Sequence, residues 1–81
     1  MRPIRDRGKA LLAQMGKEVR RLRLKLGLSQ AALAAKAGLH GNVVGRTERG
    51  TYNPSVLTLH SIAGALHTSI VHLLRDNSST P

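Results

Sequence analysis

One stretch constrains the fold of this chain more than any other: it runs from Gln30 to Gly50 and reads QAALAAKAGLHGNVVGRTERG. It contains two segments of helical length, and the glycine after each, Gly38 or Gly50, can take the left-handed backbone conformation that ends a helix. Only Ala37-Gly38-Leu39 joins the segments. Because this link is short and Ala34 is small, the two helices are expected to cross closely, with the second projecting outward. The sequence therefore predicts two short helices, at 30–37 and 41–49, joined by a tight turn.

Three further helices are predicted around this pair. Apolar residues spaced by three and four positions form one stripe of a first helix over 9–26, which Gly27 ends. A fourth helix is predicted to start at Asn53-Pro54-Ser55, where Asn or Ser can cap it. A fifth is predicted over 69–75. The residues expected to face the core are Leu12, Met15, Val19, Leu22, Leu26, Leu33, Ala34, Ala37, Val44, Val56, Leu59, Ile62, Ala63, Leu66, Ile70, Leu73 and Leu74.

The fold class that follows is all-α, because no segment alternates with a period of two. We expect a single folded domain over residues 9–75. Residues 1–8, with Pro3 and Gly8, are expected to form a flexible basic arm, and residues 76–81 a disordered polar tail. The chain has 81 residues and no cysteine, so neither a disulfide nor a zinc–thiolate site can support its small core. Oligomerisation is the remaining common way to stabilise a domain with so small a core.

The charge is strongly unbalanced. Thirteen Lys and Arg residues against four Asp and Glu give a formal net charge of +9, and nine of the thirteen lie in the first 25 positions. Such an excess favours nucleic acid as a partner, with an anionic membrane surface as the second candidate. Taken alone, the composition is equally compatible with a solvated basic face and a loose tail that bind no partner. Tyr52 is the only aromatic residue, which disfavours binders of single strands, because these stack bases on aromatic side chains.

A series of short motifs along the chain resembles a known family. In order they read LSQ, LA, AGL, ERG and NPS, and together with apolar positions they cover roughly residues 17–75. This series is similar to that of the XRE/Cro-like helix-turn-helix regulators, which include phage repressors and restriction-modification controller proteins. The matching residues are Val19, Leu22, Arg23, Gly27-Leu28-Ser29-Gln30, Leu33-Ala34, Ala37-Gly38-Leu39, Val44, Glu48-Arg49-Gly50, Asn53-Pro54-Ser55, Leu59, Ile62-Ala63 and Leu66.

The resemblance implies a five-helix, lambda-repressor-like DNA-binding domain. The function it implies is that of a bacterial or phage transcriptional regulator, a repressor or autoregulator, which is cytoplasmic and reads the major groove of double-stranded DNA with the helix at 41–49. An antitoxin or adaptor that uses the same fold for protein–protein contacts is the alternative. A membrane-surface peptide built on the basic first helix is a weaker one, because the rest of the chain has the pattern of a packed domain.

The resemblance also implies which residues contact DNA. Gln30 is expected to contact a phosphate and to brace the recognition helix. Arg49, Thr51 and Asn53 fall where the family approaches the DNA backbone, and Arg23 with Glu48 matches a structural salt bridge between the first and third helices. The recognition face comprises Gly41, Asn42, Val43, Gly45 and Arg46. The complete set of predicted DNA-binding residues is Ser29, Gln30, His40, Gly41, Asn42, Val43, Arg46, Arg49, Thr51 and Asn53.

Side-chain chemistry supports these roles and leaves alternatives open. Arg46 can make a bidentate contact to guanine, Asn42 can do the same to adenine, and Val43 can meet a thymine methyl group. Arg46 is equally suited to a phosphate contact or a free surface position. Asn42 is also suited to capping the third helix. Gln30 can serve as a cap or remain solvated.

Several residues of the recognition region depart from the family pattern. Gly41 and Gly45 stand where side chains are usual, and each costs a helix roughly 1 kcal/mol relative to alanine. His40 stands where Ser or Thr is the commoner cap, and Thr47 replaces a core-facing apolar residue. The third helix is therefore predicted to depend on packing more than on propensity. His67 stands where a glycine usually ends the fourth helix.

Neither a metal site nor catalysis is expected. The four histidines, His40, His60, His67 and His72, are not spaced three or four apart, and no nucleophile motif or phosphate-binding glycine loop is present. The expected partners are double-stranded DNA carrying an inverted repeat and a second copy of the chain. Leu66, Ile70, Val71 and Leu74 are predicted to form the dimer surface, with a contribution from the fourth helix. The alternative is that these residues only complete the core of the monomer.

Overall fold

The structure is a computed structural model that describes residues 4–75, with side chains from Arg7 onward. This part of the chain is all-helical, as predicted. It contains α1 (Ile4–Lys25), α2 (Gln30–Ala37), α3 (Gly41–Arg49), α4 (Val56–Ala65) and α5 (Ile70–Leu74). None of these helices is both long enough and apolar enough to cross a lipid bilayer.

The ends of the helices follow from local chemistry. Ser29 begins α2, because its hydroxyl accepts a hydrogen bond from the amide of Ala32 at 2.9 Å. Ser55 begins α4 in the same way, through the amide of Thr58 at 3.1 Å. Gly38 ends α2 with a φ of 71°. The bounds of α2 and α3 are those predicted.

The first and last helices differ from their predictions. α1 begins at Ile4 rather than at residue 9. No proline interrupts residues 4–8, and the single Gly8 costs too little to stop a helix of this length. Residues 1–3 of the predicted arm and the predicted tail at 76–81 lie outside the described residues. α5 is one residue shorter than predicted at each end. Ser69 acts as its cap and accepts a hydrogen bond from the amide of His72 at 3.1 Å, and Arg75 has an extended backbone.

The core lies between the five helices: α3 packs against α1 and α2, α4 packs against α2, and α5 packs against α1 and α4. Three residues predicted on the buried faces are exposed instead, namely Leu26, Val56 and Leu74. Leu26 is 43% exposed, because α1 ends one residue before it and the chain turns away from the stripe. Val56 is 73% exposed, because it opens α4 at the rim of a groove that no described helix covers. The buried core residues are Met15, Val19, Leu33, Ala34, Val44, Leu59, Ile62, Ala63, Ala65, Leu66 and Leu73.

His67 takes the left-handed conformation that the family pattern gives to glycine. Its φ is 60°, and it is the one non-glycine residue with positive φ in the described chain. Side chains other than glycine reach this region at some cost. His67 Nε2 lies 3.3 Å from Lys36 Nζ, so its side chain joins the turn after α4 to α2.

Candidate nucleic-acid interface

The outer face of α3 is open to solvent. His40, Gly41, Asn42 and Arg46 are exposed, and Val43 is half-buried. His40 has the extended backbone of a cap, but its side chain makes no capping hydrogen bond. The side chain of Asn42 makes no hydrogen bond within the described residues, so the alternative role of a helix cap receives no support.

The inner face of α3 contains one polar residue, Thr47, in the core. Its side chain is fully buried, and Oγ1 donates a hydrogen bond to the carbonyl oxygen of Val43 at 2.9 Å. The hydroxyl is therefore satisfied within its own helix, which is what makes a threonine tolerable at an apolar position.

Glu48 anchors the end of α3 to α1. Arg23 Nε donates to Glu48 Oε2 at 2.6 Å, and Arg23 Nη2 donates to Oε1 at 3.0 Å. The two side chains are 7% and 4% exposed, and the Glu48 carboxylate raises the pKa of Arg23 above its usual value. Arg23 Nη1 also donates to the carbonyl oxygen of Leu28 at 2.8 Å. This is the ion pair that the resemblance implied.

The same carboxylate holds Gln30 and lies near Arg20. Gln30 Nε2 donates to Glu48 Oε1 at 3.1 Å, so the first residue of α2 braces α3 through its side chain. Arg20 Nη1 lies 3.8 Å from Glu48 Oε1, and its side chain is 60% exposed. The sequence makes Arg20 or Arg21 a candidate for phosphate contacts, but it does not predict the approach of Arg20 to Glu48, because that distance depends on how α1 crosses α3.

Gly45 does not lie on the exposed recognition face, contrary to the sequence-based prediction. It is buried beneath two side chains, because a Cβ placed on it would lie 3.1 Å from Gln30 Oε1 and 3.3 Å from Arg49 Nη1. The missing side chain is thus replaced by Gln30 and Arg49, which cover α3 at this point. Gly41, in contrast, has open space around it.

The other predicted contact residues are distributed around α3. Ser29 is exposed and caps α2. Thr51 is exposed just after α3, and its amide donates to the carbonyl oxygen of Arg46 at 3.4 Å. Asn53 is exposed as well but lies further along the loop, at the edge of the groove between α1, α4 and α5. The structure therefore brings Gln30 to α3 and places Asn53 among the residues that line the groove.

The charge on the surface around α3 is positive. Glu18 and Glu48 are the acidic residues whose side chains the structure describes, and both are turned inward and paired with arginines. Among the described residues, no carboxylate lies within ion-pair distance of Arg46 or Arg49. A cationic surface of this kind around a projecting helix suits the phosphate backbone of nucleic acid.

Sequence reasoning also missed a cluster on the far side of α1. Glu18 accepts two hydrogen bonds from Arg21, at 2.9 and 2.7 Å, and lies 2.7 Å from His72 Nε2 of α5. The hydrogen bonds from Arg21 lower the pKa of Glu18 from 4.5 to about 2, against an opposing effect of burial and with further lowering by His72. The spacing of Glu18 and Arg21 is a helical pair, but the approach of His72 is set by the fold.

Comparisons with known proteins agree with this geometry. The sequence model of the helix-turn-helix family HTH_3 matches residues 19–73. The chain is 37% identical over 67 residues to an HTH-type transcriptional regulator of Sinorhizobium fredii, covering 83% of this chain and 87% of that protein. It is 40% identical over 64 residues to the immunity repressor protein of Bacillus phage phi105, covering 79% of this chain and 44% of the repressor.

A solved structure gives the same result. The restriction-modification controller protein C.AhdI from Aeromonas hydrophila is 39% identical and superimposes with a TM-score of 0.75, over 79% of this chain and 97% of the controller. The family match covers well over half of the chain, and it includes α2, α3 and the turn between them. The chain therefore belongs to the HTH_3 helix-turn-helix family of XRE-type, DNA-binding transcription regulators.

Proposed function

We propose that this chain is a sequence-specific repressor or autoregulator that places α3 in the major groove of double-stranded DNA. One observation carries the proposal: α3 presents Asn42, Val43 and Arg46 outward, while its single carboxylate, Glu48, is turned inward and held by Arg23 and Gln30. A helix that withdraws its negative charge and exposes base-reading side chains suits a negatively charged groove. Such a regulator acts in the bacterial cytoplasm, where the chromosome lies.

Direct base readout is assigned to few residues. Arg46 would contact guanine, Asn42 adenine and Val43 a thymine methyl group. Gly41 offers no side chain, and Gly45 is covered by Gln30 and Arg49. A larger part of the specificity is therefore assigned to the shape and deformability of the DNA, which proteins read as the energy of fitting the duplex to their surface.

Phosphate contacts are assigned to the residues that flank α3. Gln30 and Ser29 lie at the start of α2, and Arg49 and Thr51 lie at the end of α3, so that contacts on both sides would hold α3 in register with the groove. Arg20, which is largely exposed beside Glu48, adds a further positive charge. Neutralisation of phosphates by these groups would release counterions and make binding strongly dependent on salt.

We further propose that the chain binds an inverted repeat as a homodimer. One helix reads only a few base pairs, and a two-fold dimer doubles the readout, with half-sites about 34 Å apart. The predicted dimer surface needs one correction, since Leu66 is 4% exposed and belongs to the core. The surface that remains surrounds a groove of about 200 Å³ between α1, α4 and α5, here called the apolar groove. Its exposed aliphatic rim consists of Leu11, Val56 and Leu74, with Leu57 and Val71 beside it in the chain.

Selection of binding sites from a randomised duplex library by the full chain tests the proposal. The expected product is an inverted repeat, protected in footprints on one face of the duplex and bound with an affinity that falls steeply as salt increases. A promoter carrying this repeat, fused to a reporter gene, should be repressed when the chain is expressed. Failure to enrich any sequence would contradict sequence-specific regulation, and would turn attention to the antitoxin or adaptor alternative.

A further inference from the structure

Gly45 occupies a position in α3 that the exposed reading face does not use. It is buried, and the space where its side chain would lie contains the carboxamide of Gln30 and the guanidinium of Arg49. Gly45, Glu48 and Arg49 are spaced by three and four residues, so they share one face of α3. Gln30 crosses this face to donate its hydrogen bond to Glu48 at 3.1 Å.

We propose that Gly45 is a positioning residue for DNA binding. Because it has no side chain, it leaves room for Gln30 to lie across α3, beside Arg49. The proposal rests on the proposed function, in which Gln30 and Arg49 contact the phosphates that flank the reading face. It assigns to Gly45 no contact with DNA of its own.

The distances define what a side chain at position 45 does. A Cβ at 3.1 Å from Gln30 Oε1 and 3.3 Å from Arg49 Nη1 is closer than ordinary van der Waals contact, so both side chains must move by a few tenths of an ångström. Gln30 cannot move far without lengthening its hydrogen bond to Glu48, which already measures 3.1 Å. The atoms in contact are the ends of flexible side chains, so the helix itself accommodates the change.

A side chain added at position 45 is therefore expected to affect the stability of the chain and its affinity for DNA in different directions. Glycine is a poor residue for the middle of a helix, and alanine is the best one. A G45A chain is therefore expected to melt at the same temperature as the wild type or higher, while it binds DNA less tightly because Gln30 is displaced. A residue with a purely structural role would change both properties in the same direction.

Gly64 provides a matched control. It lies inside α4, away from α3, and a Cβ placed on it meets nothing within 4 Å. The G64A chain gains the same helix preference without a change near Gln30. It should melt at a higher temperature than the wild type and bind DNA with the same affinity.

The test measures melting temperature and DNA affinity for the wild type, G45A, G64A, Q30A and the Q30A/G45A double variant. The probes are the duplex selected by the wild-type chain and a duplex of unrelated sequence. G45A should weaken binding to both by about three- to tenfold, the change expected from losing one hydrogen bond of ordinary strength. Because the lost contact is to phosphate, the preference for the selected duplex should not change. In the Q30A background, the G45A substitution should change the logarithm of the DNA affinity by less than half as much as it does in the wild-type background.

The possible results are distinct. Failure of the wild type to bind either duplex would contradict the proposed function itself. If the wild type binds, wild-type affinity in G45A overturns the inference about Gly45. An equal loss in the Q30A background overturns it as well, and so does a changed preference for the selected duplex. Unfolding of G45A that persists in Q30A/G45A would likewise overturn it, because removing Gln30 frees the space for the Cβ.

Discussion

Gly16 of α1 lies directly against the backbone of Glu48 in α3. A Cβ at position 16 would lie 2.7 Å from the carbonyl oxygen of Glu48, closer than real Cβ atoms approach. Gly50, which follows α3, is similarly close, because a Cβ there would lie 3.0 Å from Cα of Ala13. The end of α3 is therefore set by backbone-to-backbone contact with α1, and the orientation of α3 depends on Gly16 and Gly50.

Replacing Gly16 by alanine should lower the free energy of unfolding by about 1–3 kcal/mol, although alanine favours a helix. The cost arises because the atoms in the way belong to the backbone of α3, which cannot rotate aside. Urea unfolding followed by circular dichroism measures the change. Gly64→Ala is the matched control, since the same substitution in open space should raise stability. An equal gain in both variants would contradict the close contact.

The buried pair of Arg23 and Glu48 should contribute strongly to stability. Arg23→Ala should lower the free energy of unfolding by about 3–5 kcal/mol, because it leaves the Glu48 carboxylate buried without its main partner. Arg20→Ala removes a positive charge near the same carboxylate but from an exposed side chain, so its cost should stay below about 1 kcal/mol. Urea unfolding of both variants measures the difference, and unchanged stability in Arg23→Ala would reject the importance of the pair.

Glu18 should make stability depend on pH in the acid range. Its pKa is lowered to about 2 in the folded chain, chiefly by the hydrogen bonds from Arg21. As the pH falls below 4.5, the unfolded chain takes up this proton first, so the stabilisation present at neutral pH is lost between about pH 4.5 and pH 2. Because the Arg21 side chain is more than half exposed and screened by solvent, we expect an effect of about 1–2 kcal/mol.

Glu18→Gln isolates this contribution from the other carboxylates. The variant should be less stable than the wild type at neutral pH, and the difference should shrink towards zero as the pH approaches 2. Chemical unfolding across this range measures both curves. Parallel curves for the two proteins would mean that Glu18 does not titrate with a lowered pKa.

The sequence predicts features that depend on neighbouring residues better than features that depend on contacts between distant parts of the chain. The bounds of α2 and α3 follow from local signals, because Ser29, Gly38 and Gly50 act on their own helix ends. The Arg23–Glu48 pair was accessible through the family resemblance. The burial of Gly45 was not, because helical periodicity places it next to exposed residues and only the path of Gln30 shows that it is covered.

Long-range packing explains the remaining differences. An isolated glycine within a helical pattern, such as Gly16, signals a close approach but does not identify the partner. The contact of Glu18 with His72 joins residues 54 positions apart and depends on where α5 docks against α1. Val56 belongs to the apolar stripe of α4, yet it is exposed. The stripe shows which face of the helix is apolar, but it does not show how far the neighbouring helices extend over that face.

Arg46 and Arg49 should affect DNA binding in different ways. Arg46→Ala should reduce the preference for the selected site by about 1–3 kcal/mol at one base position, as expected for loss of a bidentate base contact. Arg49→Ala should weaken binding to all sequences alike and reduce the slope of log affinity against log salt by about 1. Titrations of both variants against the selected duplex and its single-base substitutions, at several salt concentrations, measure these effects. A uniform loss in Arg46→Ala would assign that residue to phosphate.

The apolar groove is the surface through which the chain is proposed to dimerise. Val56 is 73% exposed on the rim of the groove, so Val56→Glu removes little from the folded monomer but places a charge where the second copy is proposed to bind. We expect this variant to keep its melting behaviour at low concentration and to sediment as a monomer. Its affinity for an inverted repeat should fall towards that for a single half-site.

Leu24→Glu is the control, because Leu24 is also exposed but lies near the end of α1, outside the groove lining. If Val56→Glu and Leu24→Glu both sediment as the wild type does, the groove is not the dimer surface. A wild type that is monomeric both free and on DNA would contradict the proposed dimer altogether.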